Sequence, residues 1–206
     1  MEPRRILKRV KQKNMKIVKP FKNCYPNSLT QGFTLKQHEA CDYTGKFGEF
    51  LLAPFDCRIE RMIRGEKLNG NTQEVETGCG LLMISTENPN YRVSYWHCQP
   101  IFPVEIGELV KQGQPVAQMG NTGAVYGNGQ FYSVAEREQE YSESTPSNLP
   151  KKGVHVHISY GFGDGSAEGT VNRDISKEID WTIPVSYSLL DAISMTLKSI
   201  LKIFKL

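Results

Sequence analysis

Short apolar runs separated by clusters of Gly, Pro and Asn extend over most of the chain. Four of these runs, over residues 49–53, 57–63, 81–85 and 92–96, have the length of β-strands. Turn-forming residues bound each run, and no clear helical periodicity precedes residue 185. The pattern therefore predicts an all-β domain made of many short strands joined by tight turns.

Two segments depart from this pattern. From 188 to 206, apolar residues recur at helical spacing with lysines on the polar side, which predicts an amphipathic C-terminal helix. Such a helix packs on the domain or on a partner, or lies on a membrane surface. From 124 to 152 the chain is polar, rich in Glu, Ser, Tyr and Gly, and without clear periodicity. A stretch of this length inside a compact domain indicates a functional loop or a disordered insertion.

Charge is distributed unevenly along the 206 residues. The formal net charge of +3 divides into +8 for residues 1–22, −8 for residues 23–191 and +3 for residues 192–206. The basic ends are either solvated tails or a contact for an anionic surface, and we expect no nucleic-acid partner. No apolar run approaches the roughly 18 residues of a membrane span, and the basic start lacks the apolar stretch of a secretory signal. The sequence thus predicts a basic arm over 1–22, a main domain over 23–187 and the terminal helix.

Composition favours a domain held together by its core rather than by cross-links. Hydrophobic residues make up 39% of the chain and charged residues 23%, which argues against wholesale disorder. The cysteines are odd in number and include no Cys-x-x-Cys pair, so neither a disulfide framework nor a zinc ribbon is indicated. We expect free, mostly buried thiols at Cys24, Cys41, Cys57, Cys79 and Cys98.

Two of the four histidines stand two residues apart in the segment 153–160, Gly-Val-His-Val-His-Ile-Ser-Tyr. Because side chains alternate along a strand, His155 and His157 project to one side while their aliphatic neighbours face a core. Two imidazoles on one face suit a metal ligand beside a catalytic base; the alternative is a pair of surface histidines on an edge strand. By alternation alone, either histidine could be the ligand.

His38 and Asp42 lie in a turn-rich region, where a nitrogen and an oxygen donor can both reach one zinc ion. The alternative is an N-terminal strand with a solvated aspartate. His38-Glu39 also begins the His-Glu-x-x-His pattern of other metalloproteases, but Asp42 stands where the second His should be and helical periodicity is lacking. We therefore reject that helix. Cys41 is a further potential ligand, although a thiolate better suits a closed structural site.

His97 ends a predicted strand in Tyr95-Trp-His97-Cys98. A lone histidine beside aromatic residues is more often a core or surface residue than a catalyst. His97 is a candidate catalytic residue only in combination with the other three histidines.

Together these residues resemble the lysostaphin-like zinc peptidases, a family with the duplicated-hybrid-motif β fold, over roughly residues 30–185. The shared motifs, in family order, are His38-x-x-x-Asp42, the Ala-Pro turn and strand over 51–59, Tyr95-x-His97, the hairpin and glycine turn over 104–123, Gly153-x-His155-x-His157, and the exit segment 178–181. Any single match is common. Four histidines at family positions in the right order make the resemblance specific.

The resemblance implies antiparallel sheets around a groove and one bound zinc ion. It implies that His38, Asp42 and His157 are the metal ligands, with a fourth position left open as in catalytic zinc sites. His97 and His155 would be the catalytic residues that accept or donate a proton at neutral pH.

The sequence departs from the family at three places. Cys57 stands where a glycine is expected, Cys98 stands where an apolar residue is usual, and the stretch from 123 to 155 is much longer than the family norm. The first two affect packing and the third affects the shape of the groove. Because the long stretch enters directly before the strand of His155, we expect it to be mobile and to border the groove. None of the departures removes a metal-binding or catalytic residue.

The function implied by the resemblance is that of a zinc metalloendopeptidase, a hydrolase that cuts peptides in the cross-bridges or stems of bacterial peptidoglycan. Without a visible signal peptide, we expect delivery to the cell wall as for a phage lysin, in a virion or by release at lysis, or by another export route. Two alternatives stay open: a catalytically silent module that binds peptidoglycan or regulates a hydrolase, and a phage structural subunit on the same fold.

Overall fold

Short strands dominate the computed structural model, which describes residues 15–64, 78–127, 129–163 and 170–185 together with Ser194 and Leu197. In chain order the strands are β1 (Leu29–Gln31), β2 (Cys41–Tyr43), β3 (Phe50–Leu52), β4 (Cys57–Arg64), β5 (Cys79–Ser85), β6 (Tyr91–Cys98), β7 (Leu109–Val110), β8 (Pro115–Gln118), β9 (Val125–Gly127), β10 (Gln130–Tyr132), β11 (Val156–Gly163) and β12 (Thr170–Asn172). An α-helix, α1 (Val134–Glu143), lies between β10 and β11. The four strands predicted from the apolar runs are present as β3, β4, β5 and β6, and the all-β fold is confirmed.

Eight of the strands form one antiparallel sheet in the order β1–β2–β11–β6–β5–β4–β7, with β12 paired to the far half of β11. The strands β3 and β8 form a separate pair, and β9 and β10 form a hairpin. At the start of β11, His157 is paired with Asp42 on β2 and with Trp96 on β6. The sheet order therefore brings the last histidine motif between the two strands that carry the earlier ones.

Alternation along β11 separates the core from the site. Val156, Ile158 and Tyr160 are buried, whereas His157 is only partly buried on the other face. The buried side chains pack in one cluster with those of β3 and β8, and the Tyr95 hydroxyl donates a hydrogen bond to the carbonyl of Leu52 at 2.8 Å. The core thus fixes the strands from one face and leaves the opposite face to the histidines.

The polar segment 124–152 contains regular structure and is not a disordered insertion, one of the two alternatives that its sequence indicated. It forms the β9–β10 hairpin and then α1, which begins with a capping box. Ser133 caps the backbone NH of Glu136, and the Glu136 carboxylate accepts the NH of Ser133 at 2.8 Å. The helix has no apolar stripe, so hydrophobic periodicity could not reveal it. The mobility of the segment stays a prediction.

The N-terminal arm ends earlier than predicted. Ile17, Val18 and Phe21 are buried in the core, although lysines surround them in the sequence. The backbone NH of Asp180 donates to the carbonyl of Ile17 at 2.8 Å, and that of Leu52 donates to Pro20 at 2.8 Å. The boundary at residue 22 is therefore wrong: residues 15–22 belong to the domain, and 1–14 lie outside the described residues.

We expect Ile17→Ala to destabilise the protein by about 2–5 kcal/mol, because it removes a fully buried side chain and leaves a cavity. Lys16→Ala is the matched control, since the Lys16 side chain is 77% exposed and its ion pair with Asp180 spans 3.7 Å. Denaturant unfolding of both variants measures the difference. Equal free energies of unfolding for the two variants would mean that residues 15–22 are not part of the core. If the expected difference is found, a truncation of the N-terminal arm that keeps the core intact removes no more than residues 1–14.

The remaining sequence predictions concern the C-terminus and the cysteines. The helix predicted over 188–206 lies outside the described residues, apart from Ser194 and Leu197, which are both helical and exposed. All five cysteines are free and buried, as expected. In the described part of the chain, no helix is long and apolar enough to cross a membrane.

Candidate metal centre and active site

Pairing between β2 and β11 places Asp42 among histidines. The carboxylate Oδ1 lies 3.0 Å from Nδ1 of His157, its partner across the strands. The other oxygen, Oδ2, lies 3.8 Å from Nε2 of His155. Both histidines therefore face the same side, as alternation predicted.

His38 reaches the same carboxylate from a turn. A backbone bridge between Thr34 and His38 closes that turn, and no helix forms here, in agreement with the rejection of a His-Glu-x-x-His helix. Nδ1 of His38 lies 3.2 Å from the carbonyl of Gly32, so a proton on Nδ1 donates to this carbonyl. The other nitrogen, Nε2, then faces Oδ2 of Asp42 at 3.3 Å with its lone pair available.

His38, Asp42 and His157 fit a small cation. Their donor atoms all lie within 4.8 Å of one another. Tetrahedral ligands about 2.1 Å from a zinc ion are about 3.4 Å apart, close to the 3.3 Å and 3.0 Å that separate Asp42 from the two imidazoles. Oδ1 of Asp42 is buried and makes no hydrogen bond of acceptable geometry within the described residues, although Nδ1 of His157 is near. An ion between these atoms would satisfy this oxygen.

The charge state of Asp42 also suits a ligand. Burial is the largest influence on its pKa and raises it, but the close approach of His157 and the electrostatic attraction to His155, His157 and His38 together outweigh burial. The pKa of Asp42 is therefore below its usual value, and the carboxylate is ionised at neutral pH.

His97 enters the site through a β-bulge at the end of β6. Cys79 pairs with Cys98 and Gly80 pairs with Trp96, so His97 is the extra residue between them. Its φ of 61° is in the left-handed region, which is uncommon for a residue other than glycine. Strict alternation would direct His97 to the core face with Tyr95, whereas the bulge turns its ring toward the other histidines. The ring centroids of His97 and His155 are 4.7 Å apart.

Backbone carbonyl groups orient both of these rings. Nδ1 of His97 lies 2.8 Å from the carbonyl of Thr122, and Nδ1 of His155 lies 2.8 Å from that of Gly153. A proton on each Nδ1 leaves Nε2 as the acceptor that faces the site. Burial lowers the pKa of His97 to about 3, with a further contribution from His155, and burial also lowers the pKa of His155. Both rings are therefore neutral near pH 7.

We expect His97→Gly to be more stable than His97→Ala by about 1 kcal/mol, because only glycine adopts the left-handed conformation without strain. Both variants lack the imidazole, so the comparison isolates the backbone from the lost side chain. Chemical denaturation of the two proteins provides the measurement. A glycine variant no more stable than the alanine variant would show that the bulge stores no strain at this position.

The glycine turn over 119–123 was noted only as a family motif, yet it supports His97 directly. The Thr122 hydroxyl donates to the carbonyl of Cys98 at 2.7 Å and accepts a hydrogen bond from the NH of Cys79 at 2.8 Å. The backbone carbonyl of Thr122 faces His97. A Cβ at Gly120 would lie 2.8 Å from the backbone nitrogen of Gln99, so only glycine allows this close approach. Sequence reasoning missed Thr122 because its role depends on a backbone atom.

A groove of about 800 Å³ begins at Asp42 and His155. Its lining includes Thr44, Lys46, Tyr126, Leu149, Lys151 and Val154. The segment 124–152 therefore borders the groove, as predicted.

Cys41 has no part in this site. Its buried thiol lies 3.4 Å from a carboxylate oxygen of Asp174, and burial raises its pKa to about 11. A protonated thiol is a poor metal ligand. The structure thus brings together all five predicted site residues, His38, Asp42, His97, His155 and His157, and leaves out the alternative ligand.

Comparison with solved structures shows that lysostaphin and Csd3 have a similar fold. The NMR solution structure of lysostaphin is 16% identical, with 82% of this chain and 60% of that chain covered and a TM-score of 0.50. Csd3 from Helicobacter pylori is 16% identical, with 92% and 42% covered and a TM-score of 0.50. A zinc containing peptidase from Vibrio cholerae is 17% identical, with 81% and 39% covered and a TM-score of 0.48. This chain spans less than two thirds of each of these structures, and the similarity to lysostaphin and Csd3 shows the fold alone.

Sequence comparison identifies the family. A search of curated proteins finds no match. The family model of peptidase family M23 matches residues 36–143, which include His38, Asp42 and His97. Because that match covers more than half of the chain and the fold agrees with it, this chain belongs to peptidase family M23, the lysostaphin-like family indicated by its motifs.

Proposed function

We propose that this chain is a zinc-dependent endopeptidase that hydrolyses peptide bonds in the cross-bridges or stem peptides of bacterial peptidoglycan. The observation that carries the proposal is the convergence of His38, Asp42 and His157 on one point, with His97 and His155 beside them. Membership of a peptidase family supports the reaction type.

In this proposal His38, Asp42 and His157 hold the metal. Two imidazole nitrogens and one carboxylate oxygen form the donor set of many catalytic zinc sites. When bound in such a set, zinc polarises a carbonyl and lowers the pKa of water, which supplies the Lewis-acid chemistry of peptide hydrolysis.

His97 and His155 handle protons and the oxyanion. Each ring is held through Nδ1 by a backbone carbonyl and presents Nε2 to the site. A neutral Nε2 accepts a proton from the attacking water, and the resulting imidazolium donates to the leaving amine or stabilises the tetrahedral oxyanion. The bulge at His97 and the tether of His155 fix both rings before substrate binds, which lowers the entropic cost of reaching the transition state.

The substrate class follows from the family and the groove. Peptides of the cell wall are the substrates we propose because the chain is an M23 peptidase, and a groove of about 800 Å³ is large enough for a short peptide segment. We place its action at the bacterial cell wall, reached by phage delivery or by an export route. The basic residues of the first 22 positions would favour contact with an anionic wall or membrane surface.

Metal content tests the proposal. We expect protein purified without added metal, or reconstituted with zinc, to contain one zinc ion per chain, because the ligand atoms are already positioned. Elemental analysis measures the ratio. Less than half an equivalent after reconstitution would contradict the zinc site and with it the proposed chemistry.

A further inference from the structure

The helix α1 carries a buried charge that the proposed chemistry does not use. Arg137 is 4% exposed, and its Nε donates to the carbonyl of Gly123 at 2.6 Å. Burial lowers the pKa of this guanidinium, which shows that the position disfavours charge. A buried cation is retained at such a position only where its contacts compensate for lost hydration.

Glu140, one turn further along α1, contacts a second backbone segment. Its Oε1 accepts the backbone NH of Lys151 at 3.0 Å and that of Lys152 at 3.2 Å. The side chain of Asn121 joins both partners, since its Nδ2 lies 3.4 Å from Oε2 of Glu140 and 2.9 Å from the carbonyl of Lys152. The helix is therefore bound to the glycine turn on one side and to the segment that enters β11 on the other.

The two segments held by α1 are the ones that orient the proton-transfer histidines. Gly123, which accepts from Arg137, follows Thr122, whose carbonyl faces Nδ1 of His97. Lys152, which donates to Glu140, precedes Gly153, whose carbonyl faces Nδ1 of His155. The contact of Arg137 thus lies one peptide unit from the carbonyl that fixes His97, and the contact of Glu140 lies two peptide units from the carbonyl that fixes His155.

We propose that Arg137 and Glu140 are positioning residues that act through the backbone to hold the carbonyl groups of Thr122 and Gly153 against His97 and His155. The segment 124–152 is on this account a brace for the two imidazoles as well as a wall of the groove. The inference rests on the proposed function for its kinetic consequence, but the orientation of the rings can be tested without it.

Loss of the brace should affect turnover more than substrate or metal binding. We expect Arg137→Ala to lower kcat on a soluble peptide by about 10–100-fold, the usual effect of a residue that orients a catalytic group. KM and the zinc content should stay within about twofold, because no metal ligand or groove contact changes. Arg137→Lys should recover part of kcat by restoring one donor. Glu140→Gln, which keeps an acceptor oxygen, should lose less than Glu140→Ala.

The matched control is Gln139→Ala on the same helix. Gln139 is exposed, and its side chain contacts Glu143 at 2.8 Å rather than either backbone segment. This variant reports any general effect of changing α1, and we expect its kcat to equal that of the wild type.

A second readout follows the rings themselves in the zinc-loaded protein. Two-bond ¹H–¹⁵N spectra of the imidazoles distinguish the Nδ1–H from the Nε2–H tautomer. In the wild type and in Gln139→Ala, we expect Nδ1–H signals for both His97 and His155. In Arg137→Ala we expect a mixture of the two tautomers. If Arg137→Ala fails to fold, the same mixture is expected in Arg137→Lys and Glu140→Gln. Unchanged tautomers in all the brace variants, or a kcat equal to that of Gln139→Ala, would overturn the inference. A wild type without peptidase activity would instead refute the proposed function, and the spectra would still decide whether the brace exists.

Discussion

His157→Ala is expected to lose zinc and peptidase activity together, whereas His155→Ala keeps zinc and loses most of its turnover. His157 presents Nδ1 to Asp42 at 3.0 Å and belongs to the three-residue cluster of metal-binding atoms. His155 lies farther from that carboxylate, at 3.8 Å, and its Nδ1 faces the carbonyl of Gly153 at 2.8 Å. In the proposed mechanism the first substitution therefore removes a ligand, and the second removes a positioned proton acceptor.

The size of the loss separates the two roles. A positioned acid or base contributes about 10²–10⁴-fold, so His155→Ala should lower kcat by that factor with one zinc still bound. His97→Ala should behave in the same way, and the double variant should be little worse than either if the two rings act as a unit. Zinc content and turnover of a soluble peptide are measured on each protein. Zinc loss in His155→Ala with retention in His157→Ala would reverse the roles, and unchanged hydrolysis in both would refute the peptidase.

The second large effect is expected for Asp42→Ala, which should abolish the stabilisation that zinc gives the wild type. Asp42 is the only anionic residue of the proposed three-ligand cluster, and its oxygens face three imidazoles. A metal that binds only the folded state contributes about 4 kcal/mol at a concentration 1,000-fold above Kd, which is on the order of 10 °C in Tm for a chain of this size. Without the carboxylate, two imidazoles remain as the only ligands of the cluster, and the affinity for zinc falls.

Thermal unfolding with and without zinc measures this effect. Asp42→Asn is the matched variant, because it keeps the shape of the side chain and removes the charge, and we expect its zinc-dependent rise in Tm to be lost as well. The same rise in wild type and Asp42→Ala would show that zinc binds elsewhere and would contradict the assigned site.

Local sequence patterns predicted those parts of the structure that depend on neighbours along the chain. Alternation in 153–160 placed His155 and His157 on one side, as β11 confirms. Motif order indicated that His38, Asp42 and His97 would join them, which the register of β2, β11 and β6 brings about. Alternation could not distinguish the two histidines of the last motif, since their difference lies in contacts with Asp42 and with a backbone carbonyl.

The features that the sequence did not predict depend on contacts between residues far apart in the chain. Ile17 is buried because residues from other parts of the fold cover it, whereas the lysines around it suggested a solvated arm. The helix α1 lacks an apolar stripe and is held through Arg137 and Glu140, whose backbone partners no periodicity can indicate. The bulge at His97 exists only in relation to the register of β5 and β6.

Digestion of purified peptidoglycan by the zinc-loaded protein tests the central claim most directly. Mass spectrometry of the released fragments should show peptides with new termini from a cleaved cross-bridge or stem bond. His155→Ala, loaded with zinc to the same level, should release them at least about 100-fold more slowly. Intact peptidoglycan after treatment with wild-type protein that carries one zinc per chain would contradict the account, and would favour a catalytically silent binding module or a structural subunit on the same fold.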